Sequence, residues 1–185
     1  MASLPNPKTV SYEEWLLMPE VSDATEEVVD GEIIIMPPAK WKHALILENI
    51  KRVLDAQLNR ATFLALTTEF GLIIRKAPLT SRVPDLAVFE LSTLVERDGY
   101  IHSAPQFLVE VLSPANTRRE MARKIADYAS IGVPEVWLIS PEGRTVEILR
   151  LQDGGLQRAQ IVAEGVVTLH QLPNVRIDIA TIWPD

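Results

Sequence analysis

Phe107-Leu108-Val109-Glu110-Val111-Leu112 is the stretch on which the reading of this chain turns. It is an almost continuous apolar run, the pattern of a strand covered on both faces, and Glu110 interrupts it. A carboxylate between apolar neighbours is costly to bury alone, so Glu110 calls either for a structural salt bridge or for a bound cation. Downstream, Thr117 and Glu120 have the spacing of a capping box, and Gly132 with Pro134 marks the end of the helix that the box begins. Met121, Ile125 and Tyr128 give that helix its expected buried stripe. Val136 to Ser140 is a second apolar strand. Residues 144–170 read as a hairpin or meander turning at Asp153-Gly154-Gly155, and Val175 to Trp183 as a short strand or a turn of helix.

Upstream, Val83-Pro84-Asp85-Leu86-Ala87-Val88-Phe89 reads as a neighbouring strand, opened by a second carboxylate. An aspartate after proline is commonly a turn residue. Beside Glu110 it acquires another reading, because Mg²⁺ and similar hard cations choose oxygen ligands, often one or two carboxylates completed by water and phosphate. Such an ion polarises a phosphoryl oxygen and deprotonates a water, which is the chemistry of phosphodiester hydrolysis.

Further out, strands are expected near 62–67 and 69–75, a loop after Pro78, and helical or irregular chain over 91–104. Residues 41–59 read as a helix whose stripe is His43, Leu47, Ile50, Leu54 and Leu58. His43 is then either a core or capping histidine or a residue at the edge of a site. Asp30-Gly31, between Glu26-Glu27-Val28-Val29 and Glu32-Ile33-Ile34-Ile35-Met36, signals a hairpin. Ser11 with Glu14 predicts a short capped helix, Ser11 to Met18, ended by Pro19, and residues 1–10 read as a loose arm. The order of elements predicts one domain over 1–185 with a mixed α/β or α+β layer architecture.

Composition narrows the class. With 185 residues and 47% of them hydrophobic, the chain builds a sizeable core. It has no apolar run of the ~20 residues that cross a bilayer, and its first residues do not read as a signal peptide. The absence of cysteine removes disulfides, thiolate chemistry and cysteine-ligated zinc, and suits the cytoplasm. The net charge of −7 works against nucleic-acid binding unless basic residues are locally grouped. Lys40 and Lys42, Lys51 and Arg52, Arg75 and Lys76, and Arg118, Arg119, Arg123 and Lys124 are such groups, and each reads equally as a solvated helix face. Arg118, Arg119 and Arg123 open the helix after the Glu110 strand, where free N–H groups attract phosphate.

The pairing of Pro84-Asp85 with Glu110-Val111-Leu112 resembles the PD-(D/E)XK nuclease superfamily. The longer match is closer: Pro105 to Pro114, then Lys124, Tyr128, Gly132-Val133-Pro134-Glu135 and Trp137 resemble the Uma-type family of restriction-endonuclease-like proteins. Asp30-Gly31-Glu32, Pro37-Pro38 and His43 fit the opening of that family. The resemblance runs from about residue 11 to 151. It implies a restriction-endonuclease-like core, a mixed sheet flanked by helices with an added N-terminal hairpin and C-terminal strands. It also implies DNA as substrate and Mg²⁺ or Mn²⁺ held by Asp85 and Glu110. The superfamily's lysine two residues after the glutamate is missing, since Leu112 stands there; the resemblance implies Lys124, from the next helix, in its place. Lys124 is three positions from Met121 and four from Tyr128, so it flanks the buried stripe, although a plain pair with Glu120 would also account for it. Some nucleases of the superfamily carry a helper glutamate on the first helix, a role Glu48 would fill unless it is simply exposed; Glu69 is a further candidate from a strand. A homodimer is expected, because cutting two strands needs two sites or one site used twice. Two other classes compete: a non-catalytic nucleic-acid-binding or interaction module on the same fold, and a small-molecule hydrolase using the same carboxylates.

Overall fold

The structure is a computed structural model that describes residues 9–19, 24–67, 70–114 and 116–184. In chain order its elements are α1 (Tyr12–Trp15), β1 (Thr25–Val29), β2 (Glu32–Met36), α2 (Trp41–Gln57), β3 (Phe63–Thr67), β4 (Leu72–Lys76), β5 (Leu79–Arg82), β6 (Leu86–Glu90), β7 (Glu96–Arg97), β8 (Tyr100–Ile101), β9 (Phe107–Val111), α3 (Arg118–Ser130), β10 (Glu135–Ser140), β11 (Thr145–Gln152), β12 (Gly155–Val162), β13 (Val166–Thr168) and β14 (Arg176–Asp178), with a 3₁₀ turn at Ile179–Thr181. Two six-stranded sheets carry the mixed α+β fold. The central sheet runs β12-β11-β10-β9-β6-β3, the N-terminal sheet β2-β1-β5-β4-β8-β7, and β13 and β14 pair by themselves.

The decisive stretch forms β9, and all five of its residues are buried. It lies between β10, which it pairs in parallel, and β6, which it pairs antiparallel. Alternation along the strand divides the core. Phe107, Val109 and Val111 join Ile46, Leu47, Ile50 and Leu54 of α2 and the C-terminal Ile177, Ile179 and Trp183 on one face. Leu108 faces Tyr128 of α3 together with Ala87, Phe89 and Val136 on the other. Apolar surface buried on both faces, at about 25 cal/mol per Å², anchors β9 in the middle of the sheet.

Local signals are realised where expected. Both capping boxes form: Ser11 accepts from Glu14 N and Thr117 from Glu120 N, and each glutamate answers the cap backbone N–H. Asp30 and Gly31 adopt φ of 51° and 83° between β1 and β2, the left-handed pair that a two-residue hairpin demands. A Cβ on Gly31 would lie 2.6 Å from Thr9 Cβ, so this turn requires glycine twice over.

Other expectations are corrected. The helices end earlier, at Trp15 and Gln57. The strand at Asp85 starts only at Leu86, because Pro84 has no N–H for the ladder. The segment after Pro78 is not a loop. It is β5, buried throughout, between β1 and β4. Its polar residues suggested solvent, but they find partners inside: Thr80 accepts from Asp30 N and Arg82 pairs with Glu27 and Asp127. Residues 91–104 form the small strands β7 and β8 and no helix. The expected N-terminal hairpin is β1–β2, which forms one edge of the N-terminal sheet.

Candidate active site

Register brings the two predicted carboxylates together. Leu86 stands opposite Val109 in the antiparallel β6–β9 pair, so one step further Asp85 meets Glu110, and residues directly opposite share a face. Asp85 Oδ2 accepts the backbone N–H of Val111 at 2.7 Å, which fixes its side chain across the open end of β9.

α3 packs its buried stripe over this face. Lys124 and Tyr128, four residues apart, are its two buried residues, and they point at Glu110 together. Lys124 Nζ donates to Glu110 Oε2 at 2.9 Å and Tyr128 Oη to Glu110 Oε1 at 2.5 Å. Lys124 does not serve as a surface partner of Glu120, which instead caps the helix through Thr117. Burial pushes the Glu110 carboxyl up to about 7; the Lys124 ammonium pulls the other way and the nearby Asp85 charge adds to the rise. Lys124 is raised: burial works against its charge, but Glu110, Glu27 and Asp85 outweigh it. Burial beside Glu110 also lifts the Tyr128 phenol well above its ordinary value, so it stays a hydrogen-bond donor.

Glu27, which the sequence reading passed over, completes the cluster from the N-terminal sheet. Its Oε1 lies 3.0 Å from Lys124 Nζ and accepts Val83 N at 3.1 Å, while Oε2 takes Arg82 at 2.8 Å. Burial opposes its charge, yet Lys124 and Arg82 hold its carboxyl below the usual range. Arg82 turns its other edge to Asp127 of α3 at 2.6 Å. A signal was present: Glu27 is a charged residue inside a short strand leading to a predicted hairpin, one residue before the apolar Val28.

Asp85, Glu110 and Lys124 border one cleft of about 410 Å³, together with Lys40, Lys42 and His43 from the start of α2, Leu112 and Asn116. His43 Nε2 stands 3.1 Å from Asp85 Oδ1, and that buried nitrogen has no properly aligned hydrogen bond. Burial would lower the His43 pKa, but Asp85 and then Glu110 raise it overall. His43 therefore sits at the edge of the site, on the α2 side. Glu48 is exposed on α2 and does not border the cleft. Glu69 lies outside the described residues. Arg118 and Arg119 are exposed at the start of α3, next in the chain to the cleft-lining Asn116, whereas Arg123 is bound to Asp30 in an ion pair.

Among the described residues no three His, Cys, Asp or Glu side chains form a metal cage. The donor set fits a hard cation that needs only one or two carboxylates and keeps its waters. Asp85 and Glu110 supply two carboxylates at one cleft.

Fold and site together define a nuclease-like α+β domain with paired carboxylates and a lysine on one cleft. The Uma2 family model, described as "Putative restriction endonuclease", matches residues 11–180, and the chain belongs to that family. Its structure is similar to a crystal structure described as a putative nuclease belonging to DUF820 from Anabaena variabilis, with a TM-score of 0.76 and 24% identity over 94% of this chain and 97% of that one. No curated protein matches the sequence. Among the described residues no helix is long and apolar enough to cross a membrane.

Proposed function

We propose that this protein is a metal-dependent endonuclease that hydrolyses phosphodiester bonds of DNA in the cytoplasm. The observation that carries this reading is the convergence of Asp85 and Glu110 from adjacent strands on one cleft, with the Lys124 ammonium 2.9 Å from Glu110. Asp85 and Glu110 would hold Mg²⁺ or Mn²⁺, which when bound supplies a polarised phosphoryl oxygen and an activated water. The protein's own part is to orient and to stabilise. Val111 N–H fixes the Asp85 side chain, and Tyr128 fixes one oxygen of Glu110. Lys124 takes the place of a lysine at Leu112, offering positive charge where the phosphate gains negative charge. Arg118 and Arg119, exposed at the start of α3, would meet flanking phosphates, and a homodimer would place two such sites on two strands.

The test is cleavage of supercoiled plasmid with Mg²⁺ or Mn²⁺ against an Asp85→Ala control. Metal-dependent nicking or linearisation, absent from the control, is the expected result. Salt-sensitive DNA binding with no cleavage under any metal would turn the reading to a binding module on the same fold.

A further inference from the structure

The ammonium of Lys124 is held by carboxylates from two different sheets. Glu110 comes from β9 of the central sheet and Glu27 from β1 of the N-terminal sheet, at 2.9 and 3.0 Å. α3 lies between them and carries the lysine. Extending the Val28–Ser81 pairing of β1 and β5 by one residue sets Glu27 opposite Arg82, and Arg82 reaches on to Asp127, one turn along α3 from Lys124. The chain of contacts Asp127–Arg82–Glu27–Lys124–Glu110–Tyr128 therefore leaves α3, crosses the N-terminal sheet and returns to α3 at the cleft.

We propose that Glu27 is a positioning residue of the active site, acting through Lys124; this rests on the nuclease reading given above. Three features support this. Arg82 bonds Glu27 Oε2 but shares its charge with Asp127, so Lys124 completes the neutralisation of Glu27, and the same ammonium is the one that meets Glu110 at the cleft. With both oxygens of Glu27 engaged by Lys124, Arg82 and Val83 N, Glu27 anchors rather than ligates. Finally, an ammonium has three N–H donors. Two carboxylates meet it among the described residues, and the third direction remains for a phosphate oxygen in the cleft that Lys124 lines. A flexible lysine stem alone does not hold such a geometry, whereas two fixed carboxylates do. Glu27 thus orders the ammonium before substrate arrives, and leaves metal binding to Asp85 and Glu110.

A double-mutant cycle tests this with Glu27→Gln, Lys124→Ala and the pair, each checked for folding by circular dichroism and thermal unfolding. Single-turnover cleavage should fall about 10–100-fold in Glu27→Gln, as misplacement of a catalytic group does, while Mn²⁺ affinity and KM for DNA stay within about twofold. Glu27→Asp should recover part of the rate. In the Lys124→Ala background, Glu27→Gln should cost almost nothing more, because the group it positions is gone. An equal loss in both backgrounds, or a loss that appears in metal affinity instead, overturns the proposal. If Glu27→Gln does not fold, the cycle is run with Glu27→Asp and the same outcomes decide. If the parent protein itself cleaves no DNA, the nuclease reading falls. Crystal structures of the parent and the folded Glu27 variant then decide the positioning claim: Lys124 Nζ displaced from Glu110 supports it, and an unmoved Nζ overturns it.

Discussion

Glu110 and Glu135 are buried glutamates on neighbouring parallel strands, 5% and 1% exposed, and they serve opposite ends. Glu135 opens β10. It accepts from Trp137 Nε1, from Arg150 on the facing strand β11, and from the backbone N–H of His170. Its donors tie β10, β11 and the chain before β14 into one unit, and it does not line the cleft that Glu110 borders. Glu110 lies near the other end of the sheet, at the finish of β9. It meets a lysine and a tyrosine from one helix, has Asp85 as a like-charged neighbour, and borders the cleft. Burial of a carboxylate is therefore not itself the mark of a site. What sets Glu110 apart is burial combined with a second carboxylate and an opening, the arrangement on which the proposed metal site rests.

The sharpest way to break this comparison is to neutralise each glutamate in turn. Glu110→Gln should abolish metal binding and cleavage while changing unfolding free energy at pH 5 by about 1 kcal/mol or less, since a carboxyl still mostly protonated there loses little by becoming an amide. Glu135→Ala should do the reverse, costing roughly 2–4 kcal/mol through three orphaned donors, with cleavage kept below the melting temperature. Chemical denaturation and isothermal metal titration on both variants score the contrast; equal stability losses would erase it.

Lys124→Ala comes next in size. The fold and metal binding should persist, and plasmid cleavage should slow by about 10²–10³. A variant that cuts as fast as the parent would remove Lys124 from the chemistry.

A smaller effect is the pH dependence that Glu110 brings. The Glu110 carboxyl titrates near 7 in the folded protein, above its ordinary value near 4.5. The folded state then binds more protons between those values, so the stability this group contributes is intact below pH 4.5 and is lost as pH rises to 7, by a few kcal/mol at most. Mg²⁺ favours the ionised form, so it should raise the melting temperature more at pH 8 than at pH 5. A metal-induced shift that does not grow with pH would contradict the assignment.

The smallest effect is at the exposed rim. Replacing Arg118 and Arg119 together by alanine should weaken DNA binding and lower the salt slope by up to about 2, leaving the rate on bound DNA nearly unchanged. An unaltered slope would make both arginines solvated surface and leave the cleft-lining Lys40 and Lys42 as the phosphate contacts.

The sequence by itself determined the parts that local physics encodes. An apolar run with one carboxylate specified β9, two Ser/Thr–Glu boxes specified where α1 and α3 begin, and Asp30-Gly31 specified its turn, because strand period, helix caps and left-handed dihedrals depend on residues a few positions apart. Asp85 and Glu110 were legible as candidates for the same reason: charges inside apolar strands stand out. Lys124 was legible from helical spacing only as a residue flanking a stripe, and as a site lysine only through the family resemblance. Tertiary structure decided that β5 is a buried strand, because Arg82 finds Glu27 and Asp127, 55 and 45 residues away. It also recruited Glu27, whose value lies in a contact 97 residues along the chain, and turned Glu135 into a structural hub. Nothing local says whether a polar side chain will meet its complement after the sheets are ordered. That pairing exists only once β1 lies beside β5 and α3 spans both sheets, and it is this non-local packing that separates a glutamate at a cleft beside a second carboxylate from one that holds strands together.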